Sequence, residues 1–430
     1  MLNLRHGIYL IIFSMPLYLW RFSILGIPVN FLELMIYSLF FIWIFGKIRE
    51  NNLANSFCGL SCIYKNNLIL FLGIILLFLG LIISTAFSSE LRTSLGIFKG
   101  WFLNPFLFFI IFIDIIKKEE QLLVSLKSWL FSGIVVSLVG ILYLLNNDIT
   151  FDGRLKAFFL SPNHLAMYLA PVFLIIFNFL LFERKKSKLL NLIIIVIILV
   201  PLYFTYSYGA FLGIFAGVIY LIKKFFNNTM FVIPAEAGIQ GLNQNIKVKK
   251  KNLYYMGFVV SLFLILASLS SNKINQITNS ENRSSFHSRL MIWNTAGEII
   301  KDNLLLGIGP GTFQKTYLSY SENFSEPYLE WAVPQPHNIF LAFYLQTGLI
   351  GLIGFVLILI WFFSRKDAAV LRLYNTDVSK EIYIINALMI YILIHGLVDT
   401  TYWKNDLALI FWIIIGLKFL SFPRSRESRI

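Results

Sequence analysis

The segment Pro334-Gln335-Pro336-His337-Asn338-Ile339-Phe340-Leu341 brings an imidazole to the point where a long polar interval gives way to an apolar run. Imidazole exchanges a proton near neutral pH, so a histidine here can act as a general base on a hydroxyl group. It can equally serve as a cation or donor holding an anionic leaving group. Pro336 lacks an N–H and suits a helix start, so the spacing predicts a helix with His337 in its first turn, near the water–lipid boundary. That is a position for chemistry on a lipid-linked substrate. The residue alone fits a capping or interfacial histidine just as well.

Two arginines are candidates for the anionic part of such a substrate, because a guanidinium fork matches phosphate oxygens better than a lysine does. Arg289 opens an amphipathic stretch, Arg289–Asn303, four residues before Trp293 on the same helical face. It also reads as an interfacial arginine stacked on Trp293 or snorkelling to headgroups. Arg154 heads Arg154-Leu155-Lys156-Ala157-Phe158-Phe159-Leu160-Ser161-Pro162-Asn163-His164. Within this segment Lys156 is a further cation, Ser161-Pro162-Asn163 is an ordinary helix start, and His164 reads as a helix histidine satisfied by its surroundings.

The elements that must position these groups are membrane helices. Of 430 residues, 58% are hydrophobic and 13% charged, against ~45–50% and ~25% in soluble domains. Apolar runs near the ~20 residues that cross a bilayer recur along the chain. They predict an all-α polytopic protein of about 12 transmembrane helices. The expected spans are 7–24, 27–46, 67–86, 94–115, 121–145, 161–182, 188–204, 207–222, 253–270, 338–363, 382–400 and 405–421. The first reads as a retained anchor, since no small-residue cleavage site follows it.

Lysine and arginine concentrate in alternate loops, at Lys47, Lys117, Lys118, Arg184 to Lys188, Lys223, Lys224, Lys247 to Lys251, Arg365, Lys366 and the tail arginines. The positive-inside rule then puts both termini in the cytoplasm. It also accounts for the net charge of +14 through anionic lipid rather than nucleic acid. Residues 1–430 read as a single integral membrane domain, with 223–252 a cytoplasmic insertion loop, 271–337 a periplasmic loop and 422–430 a cytoplasmic tail. Within 271–337, Ile292, Ala296, Ile299 and Ile300 form an apolar face suited to the membrane surface.

Ionisable groups inside spans need partners. Glu33 and Lys99 are expected to pair or face a cavity, and His395 and Asp399 share one helix face. Cys58 and Cys62 lack further ligands and read as inert thiols. The outer segments carry no obvious metal cluster and the chain no Walker loop, so no metal or cofactor is expected.

Taken together, the segment around His337, with Ser288-Arg289-Leu290-Met291-Ile292-Trp293, Gly307-Ile308-Gly309-Pro310-Gly311 and Gly348 and Gly351, resembles the O-antigen ligase and polymerase superfamily of bacterial membrane glycosyltransferases. The resemblance spans roughly 150–420. It implies an inner-membrane enzyme with a periplasmic active site in lipopolysaccharide biosynthesis. Such an enzyme moves a glycan from an undecaprenyl-diphosphate carrier to lipid A-core without a metal. By the same resemblance His337 activates the acceptor or the leaving group, and Arg154 and Arg289 hold the donor diphosphate with Lys156 and Tyr208. Asn163, Trp293, Asn338 and Asp399 support them. At Tyr208 the ligases usually have arginine, so either another cation compensates or the donor differs. An O-antigen polymerase, using a second lipid-linked glycan as acceptor, fits the same motifs. A protein O-oligosaccharyltransferase is a further alternative, and a transporter or flippase fits the span number alone.

Overall fold

A computed structural model describes residues 4–49, 67–182, 188–230, 285–320, 333–364 and 378–421. The predicted span 253–270, most of the 223–252 insertion, the tail 422–430, Cys58 and Cys62 lie outside the described residues. The described chain is mostly helical. Seven of its helices are long and apolar enough to cross a membrane: Phe31–Arg49, Leu68–Ala86, Leu91–Ile115, Glu119–Leu145, Pro162–Phe182, Tyr208–Phe226 and Ile339–Ser364. Leu4–Phe13, Lys188–Phe204 and Tyr383–Gly396 are apolar but shorter.

The beginning departs from the expected span 7–24. Helix α1 (Leu4–Phe13) stops short, a 3-10 turn follows at Met15–Leu19, and β1 (Arg21–Ile24) pairs antiparallel with β2 (Ile27–Asn30). Pro16 at the start of the 3-10 turn supplies no N–H to continue the α-helical ladder. The tight turn between the strands is made by Leu25 and Gly26, both at positive φ.

The chain divides into two compact units. Unit 1 comprises 1–132, 285–385 and 392–430, and unit 2 comprises 133–284 and 386–391.

In unit 1, α2 (Phe31–Arg49) is fastened near both ends to the helical run Leu91–Ile115. That run consists of α4 (Leu91–Ile97), a π-helical turn (Phe98–Leu103) and α5 (Asn104–Ile115). Near one end of α2 the expected Glu33–Lys99 pair forms at 3.1 Å. Near the other, Asp114 takes Lys47 at 3.0 Å and the Trp43 indole at 2.8 Å. The buried Glu33 and the half-buried Asp114 are thereby each met by a cation, as a low-dielectric setting demands.

Helix α3 (Leu68–Ala86) lies on α12 (Ile339–Ser364) with backbones in contact. A Cβ placed on Gly80 would stand 2.2 Å from the nitrogen of Gly351, and one on Gly354 would stand 2.2 Å from that of Leu77. Small residues allow this approach, which replaces side-chain interdigitation by main-chain contact. Gly80→Ala must therefore push two backbones apart. It is expected to cost at least about 1–3 kcal/mol, read as a lower unfolding temperature of the detergent-solubilised protein, with Gly46→Ala, which meets nothing within 4 Å, as the neutral control.

Unit 2 is built from the later part of α6 (Glu119–Leu145), α7 (Pro162–Phe182), α8 (Lys188–Phe204) and α9 (Tyr208–Met230). Helix α7 is buried along nearly all its length. Gly133 admits the Val172 side chain and Gly140 admits Pro201, which seats α6 on α7 and α8.

Candidate active site

The polar interval folds into α10 (Ser285–Asp302), a glycine loop and the short helix α11 (Phe313–Ser319). The apolar face foreseen on α10 is real, but protein covers it rather than lipid. Ile292, Ala296 and Ile299 are buried together with Phe313, Tyr317, Val333 and Leu345. The physical reason lies in the loop that follows. Gly307, Gly309 and Gly311 all have positive φ, which turns the chain back on itself and seats α11 against α10.

The loop is anchored in a break in α12. Gly348 has φ 69°, so the helix is interrupted there, and the loop takes up the released backbone groups. Ile308 donates to the Leu345 carbonyl at 2.6 Å, and Leu349 donates to the Leu305 carbonyl at 3.1 Å. Gln346, also on α12, receives the Gly311 N–H at 2.9 Å and donates to Gln335 at 2.6 Å. One buried amide thus links the glycine loop to the segment that carries the histidine.

His337 is not in the first helical turn. Asn338 is the cap of α12, its Oδ1 accepting from Phe340 at 2.9 Å and Leu341 at 3.1 Å, so the histidine stands just before the helix. An asparagine side chain can satisfy the first free N–H groups, whereas Pro336 cannot, and this decides where the helix begins. His337 itself has φ 48°, a left-handed conformation costing about 1–3 kcal/mol outside glycine. Its neighbours hold it there. Asn338 Nδ2 donates to the Leu397 carbonyl at 3.0 Å, and the Trp293 indole donates to the Pro336 carbonyl at 3.0 Å.

The strained backbone aims the ring at Asp399, whose Oδ1 lies 3.1 Å from Nδ1. Asp399 was expected inside the span 382–400. Helix α13 (Val378–Gly396) instead ends before it, and Asp399 lies in the following turn with its own N–H on the His395 carbonyl. Burial opposes its ionisation, but His337, His395 and Arg289 together hold its pKa below the ordinary carboxylate value. An ionised carboxylate only accepts, so Nδ1 must donate, and in the neutral form of the ring the lone pair then falls on Nε2. The Asp399 side chain is 5% exposed and that of His337 33% exposed, so the pair has a dry end and a reachable end.

Arg289, in the second turn of α10, donates through Nε to the Val398 carbonyl at 2.8 Å. Val398 adjoins Asp399, so one short turn orients both the arginine and the histidine. The structure therefore brings together Arg289, Trp293, His337, Asn338 and Asp399 among the foreseen residues. The roles of Gln335, Gln346 and the Leu397–Val398 carbonyls had no sequence signal beyond their neighbours.

Unit 2 holds the remaining candidates. Arg154 donates from Nε to the Thr205 carbonyl at 2.7 Å and from Nη2 to Asn163 at 2.5 Å, with Asp152 at 4.0 Å. Asn163 belongs to the start of α7, where Ser161 accepts the His164 N–H as expected of a cap. His164 is buried against the Phe159 ring, in keeping with a structural histidine. Lys156 is half-buried, and Tyr208 opens α9 with 43% of its surface exposed. Arg154→Lys cannot reproduce two directed bonds from one planar group. With charged hydrogen bonds contributing about 1.5–3 kcal/mol, a loss of roughly tenfold or more in activity is expected. Asn163→Ala is expected to move activity the same way by less, and equal activity in all three purified proteins would remove Arg154 from the site.

A multi-pass helical membrane protein with a carboxylate-oriented histidine and an anchored arginine has the parts of a group-transfer enzyme. Residues 193–356 match the family model described as O-Antigen ligase, a similarity that supports the O-antigen ligase and polymerase superfamily. Members of the family are membrane glycosyltransferase-like enzymes. The matched stretch contains Tyr208, Arg289, Trp293, His337, Asn338, Gly348 and Gly351, while Arg154, Lys156, Asn163 and Asp399 fall outside it. No curated protein matches the chain.

Proposed function

We propose that the protein is an O-antigen ligase of the bacterial inner membrane. In this reading it transfers a glycan from undecaprenyl diphosphate to a sugar hydroxyl of lipid A-core on the periplasmic side, with both termini in the cytoplasm. The observation that supports it most directly is the His337–Asp399 pair beside the anchored Arg289. His337 Nε2 takes the proton of the acceptor hydroxyl, and the oxygen attacks the anomeric carbon of the donor. The bond from that carbon to the diphosphate oxygen breaks, and the carrier leaves with its electron pair. Arg289 balances the charge gathering on the leaving diphosphate, and Asp399 stabilises the imidazolium. Arg154 and Lys156 are proposed as further phosphate contacts, with Tyr208 contributing a hydrogen bond without charge. The donor carries its own activation, so the scheme asks nothing of a metal.

A deletion strain separates ligase from polymerase. Loss of polymer on lipid A-core, with polymer retained on its carrier, is the ligase result. Attachment of single repeat units in place of polymer assigns the polymerase reaction instead.

A further inference from the structure

We propose that Tyr402 and Asn405 are positioning residues for the His337–Asp399 pair, mooring the turn that carries Asp399 on two carbonyls that Pro105 leaves without a helical donor. The inference rests on the transfer reading above and adds to it residues that act through Asp399.

The cause lies in the sequence of a distant helical run. At the π-helical turn Phe98–Leu103, the Asn104 N–H donates to the Lys99 carbonyl, five residues back. The next residue is Pro105, which has no N–H. The Trp101 carbonyl therefore cannot take an α-helical bond from four residues on. Nor can the Gly100 carbonyl take a π-helical bond from five residues on. A carbonyl withdrawn from water is costly without a donor, so both must be met from outside the run.

Both donors come from the segment that follows Asp399. The Tyr402 hydroxyl donates to the Trp101 carbonyl at 2.9 Å, and the Asn405 amide donates to the Gly100 carbonyl at 3.3 Å. The Trp101 indole returns a bond to Asn405 Oδ1 at 3.1 Å, which fixes the orientation of the amide. Gly100 leaves room for this approach, since a Cβ there would stand 3.0 Å from both the Asn405 amide nitrogen and Glu33 Oε1. Tyr402 is fully buried, with its ring packed on Phe102, Phe343 and Phe411 and its oxygen accepting from the Trp412 indole at 3.3 Å. Asn405 is the first residue of α14 (Asn405–Leu420), so the same contacts fix the start of the last helix.

From these moorings a short series of bonds runs back to the carboxylate. The Trp403 N–H donates to the Thr400 carbonyl at 3.4 Å, and the Thr401 hydroxyl donates to the Ile392 carbonyl at 2.8 Å. The Thr400 N–H donates to Asp399 Oδ1 at 2.8 Å, and this is the oxygen that meets His337 Nδ1. A carboxylate held at that oxygen by the backbone moves with its turn. Releasing Tyr402 or Asn405 thus loosens the group that orients the imidazole without removing the imidazole or the carboxylate.

The test is transfer kinetics on the glycan-bearing donor and its acceptor, with purified protein in lipid nanodiscs. Tyr402→Phe keeps the ring and deletes only the hydroxyl. It is expected to lower kcat about tenfold, with the donor KM changed less than about twofold. In an Asp399→Asn background the same substitution is expected to lower kcat less than about twofold, because the group it positions is already disabled. Wild-type kcat in Tyr402→Phe would overturn the inference and leave the transfer reading intact. An equal fractional loss in both backgrounds would also overturn it, since that marks a bond which only supports the fold. So would a raised KM at unchanged kcat, which marks a substrate contact. A wild-type protein that transfers no glycan overturns both readings. Should Tyr402→Phe not fold, Asn405→Ala is measured in its place against the same outcomes.

Discussion

Replacing His337 by alanine is expected to lower glycan transfer by about 10²–10⁴, the range over which a positioned general base acts, with the fold retained. Little packing is lost, because the imidazole is partly exposed and, among the described residues, its hydrogen-bond partner is Asp399. The backbone offers a stricter control. At φ 48° any residue with a Cβ is strained, so His337→Gly removes the same imidazole and relieves the strain. The glycine variant should be at least as stable as the alanine variant and as inactive. Asp399→Asn keeps the shape of the partner but can no longer demand a proton on Nδ1, so it should lose much of the same activity. If the two residues act as one unit, His337→Ala with Asp399→Asn should cost little more than His337→Ala alone. Turnover near the wild-type rate in His337→Ala, measured with purified donor and acceptor, would remove the histidine from the mechanism.

Arg289 is expected to tolerate not even lysine. Its Nε bond to the Val398 carbonyl fixes the plane of the guanidinium, and that carbonyl belongs to the turn presenting Asp399. Lysine keeps the charge and loses both the plane and the clamp. Loss of one donor aimed at developing charge costs about 10²–10³ in kcat, and Arg289→Lys should fall in that range, close to Arg289→Ala. Trp293→Phe provides the comparison. It removes only the indole bond to the Pro336 carbonyl and should give a smaller loss. Arg289→Lys with near-normal kcat and a raised donor KM would mean that the arginine binds the ground state and transition state alike.

Much of the architecture was legible in composition because a bilayer leaves a chain few choices. Helices at Phe31–Arg49, Leu68–Ala86, Pro162–Phe182 and Ile339–Ser364 follow apolar runs with recognisable ends. Local signals at the site were equally plain: Trp293 one turn after Arg289, and Ser161 capping α7. The failures arose where distant chemistry overrode local pattern. Pro336 looked like a helix start, but the neighbouring asparagine could satisfy the free N–H groups. The apolar face of α10 has the period of an interfacial helix, and periodicity does not distinguish lipid from Phe313 and Tyr317 as its cover. Asp399 lies 62 residues beyond His337, and neither sequence neighbourhood carries a trace of the other. Gly348 was noted as part of a motif, yet glycines in membrane helices more often serve close packing, as Gly351 does here against Gly80.

The interruption at Gly348 bears on the order in which the protein is made. The glycine loop closes its hydrogen bonds on Leu345 and Leu349, which the ribosome delivers only after the loop has emerged. The loop therefore cannot reach its final shape until α12 has entered the membrane. Completion of the histidine comes later still, because its carboxylate follows α13. A nascent chain halted anywhere before Asp399 would carry the imidazole and the arginine without the group that orients the proton. Maturation of the centre is thus tied to insertion of every helix up to and including α13.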